Sequence, residues 1–180
     1  SEYLRLINGN WRVVHKEELL DQCKNLLFDD LFERLLEAVK SVLNQNSGCA
    51  MDQTLYYVSD SNQYNNSRAL RRSLVKSLCW VRKVLPELSK CNHNKIEGAC
   101  FQFVNNLLKD AEWATWVKLR DCLQNLAELA PDAFLDRVES GIIYKVPEML
   151  QLFPKSGIGN NYISELLWSL EILAWSPDYL

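Results

Sequence analysis

Six basic side chains are the residues of this chain best placed to bind a ligand. At about 100° per residue they spread over an arc of roughly 140° on one predicted helix, opposite a stripe of leucines. They are Arg68, Arg71, Arg72, Lys76, Arg82 and Lys83. This basic face could contact phosphate backbones, a nucleotide or an acidic partner, or it could be a solvated outer face. The net charge of −3 adds no global attraction for nucleic acid.

Cys91, His93 and Cys100 come closest to a metal-binding pattern. Structural zinc sites usually have four ligands, with two cysteines two to four residues apart, and this spacing does not match. The six cysteines are also scattered through apolar helical patterns and do not form a disulfide framework. We therefore predict no metal and no cofactor, and reduced thiols in a cytoplasmic protein.

Catalytic patterns are weak. His15 and His93 are the only histidines, and neither has a serine or cysteine at a recognisable nucleophile spacing. Lys155, Ser156, Gly157 and Gly159 resemble a phosphate loop, but their order inverts the Walker motif. The sequence favours a protein that is not an enzyme.

A second candidate surface lies in a long polar segment, residues 45–66. It carries Tyr56, Tyr57 and Tyr64 among asparagines and glutamines. Loops of this kind beside a helical scaffold can form binding surfaces, and disorder is the alternative.

The elements that carry these residues are helices, because apolar residues recur every three or four positions. The predicted stripes are Leu31, Leu35, Val39, Val42; Leu70, Leu74, Leu78, Val81, Leu85, Leu88; Ile96, Cys100, Phe103, Leu107; Trp116, Leu119, Leu123, Leu126, Ala130; and Ile163, Leu166, Leu170, Leu173. Pro86 should bend or end its helix. We predict helices over residues 113–130 and 132–139, and a short one over 146–153. The expected core anchors are Trp113, Trp116, Trp168 and Trp175.

The first 14 residues differ from the rest. Asn8 and Gly9 stand between two β-prone runs, which predicts a hairpin with a type I′ turn. Trp11 and Val13 should pack on the following helices or on a preceding domain. We assign residues 1–14 to this hairpin and 15–180 to a helical domain.

A repeated phrase organises the helical domain. Leu-Ala followed by Pro-Asp occurs near Pro131, and Leu-Ala-Trp-Ser-Pro-Asp occurs near Pro177, 46 residues later. That period is typical of HEAT or armadillo repeats, so the predicted fold is an all-α superhelix. The start without methionine and the stop just after the second phrase suggest a piece of a longer protein, missing its next repeat. No apolar run is long enough to span a membrane.

Several segments resemble large, poorly characterised bacterial proteins that are similar to STAND-type NTPases, some of them linked to antiviral defence. They are Ser-Arg-Ala-Leu-Arg-Arg-Ser-Leu-Val-Lys-Ser-Leu at 67–78, with Ser73 where that family often has glycine, and the stretches 126–135, 136–139 and 166–180. The resemblance implies that an NTPase core would precede this segment, which would belong to a helical region used for target sensing or self-association. No position here matches the nucleotide site.

The sequence therefore predicts a non-catalytic helical-repeat module that recognises proteins. Its partner would be another protein or the rest of the parent chain, with self-association through the C-terminal end as one form. The alternative is a nucleic-acid-binding module that uses the basic face.

Overall fold

The computed structural model describes residues 3–44, 67–143 and 163–177. These residues are mostly helical, with a short antiparallel pair of strands near the N-terminus. The prediction of an all-α protein with an N-terminal hairpin is therefore confirmed. Tyr56, Tyr57 and Tyr64, the helix expected at 146–153, and the loop with Lys155 lie outside the described residues.

The hairpin forms as the Asn-Gly pair predicts. Strands β1 (Leu4–Ile7) and β2 (Asn10–Val13) pair Leu4 with Val13 and Ile7 with Asn10, which leaves a two-residue turn. Asn8 and Gly9 have φ values of 50° and 77°. Both are positive, as a type I′ turn requires.

The described apolar side chains of the hairpin are exposed. Leu6 is 59% exposed and Val13 is 38% exposed, so Val13 is not buried against the described helices, while the predicted Trp11 side chain lies outside the described part of the structure. A hydrogen bond of 2.5 Å from Gln22 Nε2 to the Tyr3 hydroxyl ties the hairpin to the first helix.

Eight α-helices follow within the described residues. They are α1 (Lys16–Cys23), α2 (Asp29–Asn44), α3 (Arg68–Val84), α4 (His93–Leu108), α5 (Trp113–Leu119), α6 (Leu123–Leu129), α7 (Pro131–Ile143) and α8 (Ser164–Ala174). Short 3-10 turns follow α1, α3 and α5, at Lys24–Leu26, Leu85–Glu87 and Arg120–Cys122.

Side chains in the sequence set several helix ends. The Ser67 hydroxyl accepts a hydrogen bond from the Leu70 amide and caps α3, and the Asn92 side chain accepts one from the Lys95 amide and caps α4. Pro86 lies in the 3-10 turn that ends α3, as predicted. Pro131 is the first residue of α7, where its missing N–H costs nothing. That helix is longer than the predicted 132–139.

The single helix predicted over residues 113–130 is interrupted. A 3-10 turn at Arg120–Cys122 separates α5 from α6. At this point the Lys118 carbonyl accepts a hydrogen bond of 3.0 Å from Arg71 Nη1. A side chain from a distant helix therefore bonds to the backbone at the break.

Helix α6 is the centre of the packing. It contacts α3, α4, α7 and α8, while α2 packs on α3 and α4 packs on α7. Leu126, Ala127 and Leu129 of α6 are fully buried. One continuous hydrophobic core runs from Phe32 in α2 to Leu173 in α8.

Two of the predicted stripes are correct only in part, because Val39 in α2 and Leu78 and Val81 in α3 are buried as predicted, whereas the first residue of each stripe is exposed. In α2 the buried residues are Phe32, Leu36, Val39 and Leu43, whereas Leu31 is 40% exposed. In α3 the inward row includes Arg71 and Val75, and Leu70 is 43% exposed. Both helices have apolar residues at adjacent positions, so two stripes about 100° apart fit the same sequence. Contact with neighbouring helices selects between them.

The tryptophan prediction is confirmed at one site and wrong at two. Trp116 is buried and meets Phe134 edge-on, with ring centroids 6.2 Å apart. Trp168 and Trp175 are 53% and 80% exposed. The Trp113 side chain lies outside the described part of the structure. Among the described helices, none is long and apolar enough to cross a membrane.

Candidate functional site

The structure divides the six residues of the basic face into three groups. Arg72, Lys76 and Lys83 are exposed. Arg68 and Arg82 form ion pairs, with 3.4 Å between Arg68 Nε and Asp121 Oδ2 and 3.0 Å between Arg82 Nη1 and Glu97 Oε1. Arg71 is buried.

Arg71 therefore does not belong to an interaction surface, and its assignment to the basic face is wrong. Its side chain is 3% exposed, and Nη2 donates a 3.2 Å hydrogen bond to Asp121 Oδ2. A guanidinium can be buried when a carboxylate and a carbonyl accept its hydrogen bonds. Arg71 was predicted to face outward because Leu70 was taken as part of the buried stripe. In the structure Leu70 is exposed and Arg71 faces the core.

The exposed remainder is a narrow basic stripe. At helical spacing Arg72, Lys76 and Lys83 lie within about 40° of one another, so they still share a face of α3. Two of the six predicted residues are held by acidic neighbours and one is inside the core. The positive charge that α3 offers a polyanion is therefore much smaller than the sequence suggested.

Two thiols, of Cys100 and Cys122, are buried in the core, and a third, of Cys79, is partly buried against it. The Sγ of Cys79 donates to the Asn125 carbonyl at 3.0 Å, and burial raises the pKa of Cys79 to about 12. Burial also raises the pKa values of Cys100 and Cys122 to about 11 each. Thiols held protonated in this way are poor nucleophiles and poor metal ligands.

Cys91 and His93, the other members of the zinc-like pattern, lie at the start of α4. Burial raises the pKa of Cys91, and His93 Nε2 lies 3.2 Å from the Leu88 carbonyl oxygen. Cys100 is two turns further on and buried. Across residues 3–44, 67–143 and 163–177, no three histidine, cysteine, aspartate or glutamate side chains are grouped to hold a metal ion.

Three large apolar side chains are exposed on and just after α8, around the exposed Glu171. Leu167 is 54% exposed, Trp168 is 53% exposed, and Trp175, the residue after the helix, is 80% exposed. The opposite side of the helix carries Leu166, Ser169 and Leu173, which are buried in the packing that joins α8 to α6. We call Leu167, Trp168 and Trp175 the α8 surface.

The N-terminal ends of α2 and α4 are clamped together. Asp29 Oδ1 accepts a 2.8 Å hydrogen bond from the Asn92 amide, and Lys95 Nζ lies 2.6 Å from Glu33 Oε1. The hydrogen bond to Glu33, with the charges of nearby carboxylates, raises the pKa of Lys95.

Beyond this clamp, the two helices enclose a groove. Its volume is about 310 Å³, and it is lined by residues from the middle to the C-terminal end of each helix. Leu36, Phe103 and Leu107 supply apolar surface, and Asn44, Gln102 and Asn106 supply exposed amides. Lys40 also lines it, with its Nζ 2.7 Å from Glu37 Oε1. We call this the α2–α4 groove.

Sequence reasoning missed the groove and the α8 surface for different reasons. Leu167 and Trp168 fall outside the stripe of Ile163, Leu166, Leu170 and Leu173, so periodicity could have placed them outward. The groove had a weaker signal, since Gln102 and Asn106 are four residues apart beside Phe103 and Leu107. Asp121 gave none, because its partner Arg71 is 50 residues away.

Comparison with known proteins adds no relative: no protein-family model, curated protein or solved structure matches this chain.

Proposed function

We propose that this chain is a non-catalytic helical-repeat module that acts by recognising proteins, as part of a larger cytoplasmic bacterial protein. The arrangement of the helices supports a HEAT-like stack. In such stacks, each helix of one pair contacts the equivalent helix of the next. The contacts of α3 with α6, α4 with α7, and α6 with α8 follow that rule.

The α8 surface is the observation that carries protein recognition. Tryptophans are enriched among residues that dominate binding energy in protein interfaces, and large exposed apolar areas mark interaction sites. Two exposed tryptophans and a leucine on and just after one helix fit self-association or a protein target better than they fit a solvated face.

Sedimentation velocity tests this proposal. We expect the wild-type chain to associate as its concentration rises to about 200 µM, the range of weak interfaces. The Trp168→Gln, Trp175→Gln double variant should remain monomeric. Phe101→Gln is the matched control, because Phe101 is an exposed aromatic residue on α4, away from the α8 surface. A wild-type chain that is monomeric throughout, or a double variant that associates equally well, would contradict self-association through this surface.

Nucleic-acid binding by the basic face is the second candidate. The exposed stripe of Arg72, Lys76 and Lys83 is the observation in its favour. A mobility-shift titration of DNA and RNA at several salt concentrations distinguishes the two functions, because phosphate contacts weaken steeply with salt. Two results together would favour nucleic-acid binding over protein recognition. The first is salt-dependent binding that is lost in the Arg72→Glu, Lys76→Glu double variant, and the second is a wild-type chain that does not self-associate.

A further inference from the structure

The N-terminal hairpin and the segment that contains α8 carry opposite charges. Residues 3–14 include two arginines and no acidic residue, whereas residues 163–177 include two glutamates and no basic residue. Both segments also expose large apolar side chains. Opposite charge beside exposed apolar surface is the combination that two complementary faces of a protein interface present to each other.

The hairpin places two arginines side by side. Arg5 and Arg12 are paired across the two strands, so their side chains project from the same face, and like charges at such positions destabilise a strand pair. Both are exposed, and neither forms an ion pair within residues 3–44, 67–143 and 163–177. Ile7, two residues after Arg5, shares this face and is 37% exposed. We call Arg5, Ile7 and Arg12 the arginine face, and an anionic group docked on it would relieve the repulsion.

The α8 surface surrounds a carboxylate. At 100° per residue, its three apolar side chains and the exposed Glu171 fall within an arc of about 100°, with Glu171 near the middle. Trp168 and Trp175 are seven residues apart, or about 10 Å along the helix axis. Indole rings attract guanidinium groups that stack on their faces. A carboxylate between two indoles therefore suits a pair of arginines.

Symmetric contacts between two copies of the chain are less favourable. Glu171 is midway in sequence between Leu167 and Trp175, so an antiparallel α8–α8 contact that covers these side chains brings the two copies of Glu171 together. A contact between two arginine faces brings four guanidinium groups together. Like charges facing each other in an interface cost free energy, which disfavours both arrangements. Docking of the arginine face on the α8 surface avoids both.

We propose that the arginine face of one copy of this chain docks on the α8 surface of a second copy. Arg5 and Arg12 pair with the Glu171 carboxylate and stack on the neighbouring indoles, while Ile7 packs on the apolar surface beside them. This inference rests on the proposed function, because it names the partner of the α8 surface. The contact joins two different surfaces, so each copy supplies one surface and keeps the other available.

Complementation between two variants tests this docking by sedimentation velocity. The hairpin variant is Arg5→Glu, Arg12→Glu, and the α8 variant is Trp168→Gln, Trp175→Gln. Each variant alone should associate at least about tenfold more weakly than the wild type. An equimolar mixture should form a one-to-one dimer, because one variant keeps an intact α8 surface and the other keeps an intact arginine face.

A matched control separates docking from a general effect of charge. Arg72→Glu, Lys76→Glu makes the same change of charge at two exposed basic residues of α3, away from both surfaces. We expect this control to associate as the wild type does. Equal weakening in the control and in the hairpin variant would overturn the inference, because the added negative charge alone would then account for it.

Two other results would overturn the inference. The first is a hairpin variant that associates as tightly as the wild type. The second is a mixture that stays monomeric although the wild type associates. Either result, with the α8 variant monomeric, rejects the arginine face as the partner and leaves self-association through the α8 surface standing. A wild-type chain that is monomeric at every concentration rejects both.

Discussion

Replacing Arg71 should destabilise the protein more than replacing any other residue of the basic face. Arg71→Met keeps an unbranched apolar side chain in the same space and removes the hydrogen bonds to the Lys118 carbonyl, at 3.0 Å, and to Asp121, at 3.2 Å. A hydrogen bond to a charged group contributes about 1.5–3 kcal/mol. Breaking a fully buried ion pair costs about 3–5 kcal/mol.

The cost at Arg71 should lie near the lower of these ranges. Asp121 keeps some contact with solvent, since its side chain is 21% exposed, and it keeps Arg68 as a second cation at 3.4 Å. The carboxylate left behind is therefore only partly uncompensated. We expect Arg71→Met to lower the free energy of unfolding by about 2 to 3 kcal/mol.

Urea unfolding followed by circular dichroism at 222 nm measures this change. Arg72→Met is the matched control, because Arg72 is the exposed neighbour on the same helix and surface substitutions usually change stability by less than about 0.5 kcal/mol. A double-mutant cycle with Asp121→Asn should give a coupling energy of about 1 kcal/mol or more. Equal midpoints for Arg71→Met and Arg72→Met would refute the reasoning, as would a coupling energy near zero.

Two further predictions concern the thiols and the hairpin. The raised pKa of Cys79, from an ordinary 9.0 to about 12, means that the folded protein holds this proton more tightly than the unfolded chain. The protonated thiol therefore contributes fully to the free energy of unfolding below pH 9, and this contribution is lost as the pH rises towards 12. The urea midpoint of the wild type should fall between pH 8 and pH 10.5. The midpoint of Cys79→Ala should fall less steeply over the same range. A flat profile in the wild type would contradict buried, protonated thiols. In the hairpin, Gly9→Val places a β-branched residue at a φ of 77°, which should destabilise the turn by about 1–2 kcal/mol. We expect faster amide hydrogen exchange across β1 and β2, with the global urea midpoint unchanged. Exchange as slow as in the wild type would count against the turn geometry.

Local features were predictable where one residue type has one physical role. Asn8 and Gly9 specify the hairpin turn, because few residues tolerate two consecutive positive φ values. Pro86 ends α3 because it lacks an N–H, and Pro131 opens α7 for the same reason. The row from Trp116 through Leu126 to Ala130 was also correct, and its apolar neighbours Val117, Ala127 and Leu129 are buried too, because these helices are enclosed on more than one side.

Other features depended on contacts between distant parts of the chain. In α2, Leu31 and Phe32 are both apolar, and only packing against α3 decides that Phe32 is inside. At the break between α5 and α6, the Lys118 carbonyl bonds to the Arg71 side chain, a contact that no pattern within residues 113–130 encodes. Beside the groove, the hydrogen bond between Asp29 and Asn92 joins α2 to α4 across 63 positions of sequence.

The repeated phrase connects what the sequence predicted with what it missed. Its two copies end α6 and α8, and these equivalent helices pack against each other. The helices differ in exposure because of their neighbours: α6 contacts α3 and α8 and is almost wholly buried, whereas among described residues α8 makes its main contact with α6 alone. Among the described residues, no helix packs on the side of α8 that carries Trp168 and Trp175, so both are exposed although their sequence pattern resembles that of a core helix. An apolar helical pattern shows which residues can be buried, and the neighbours of the helix decide which of them are. The sequence therefore assigned these tryptophans to the core, whereas their exposure leads us to propose them as a binding surface.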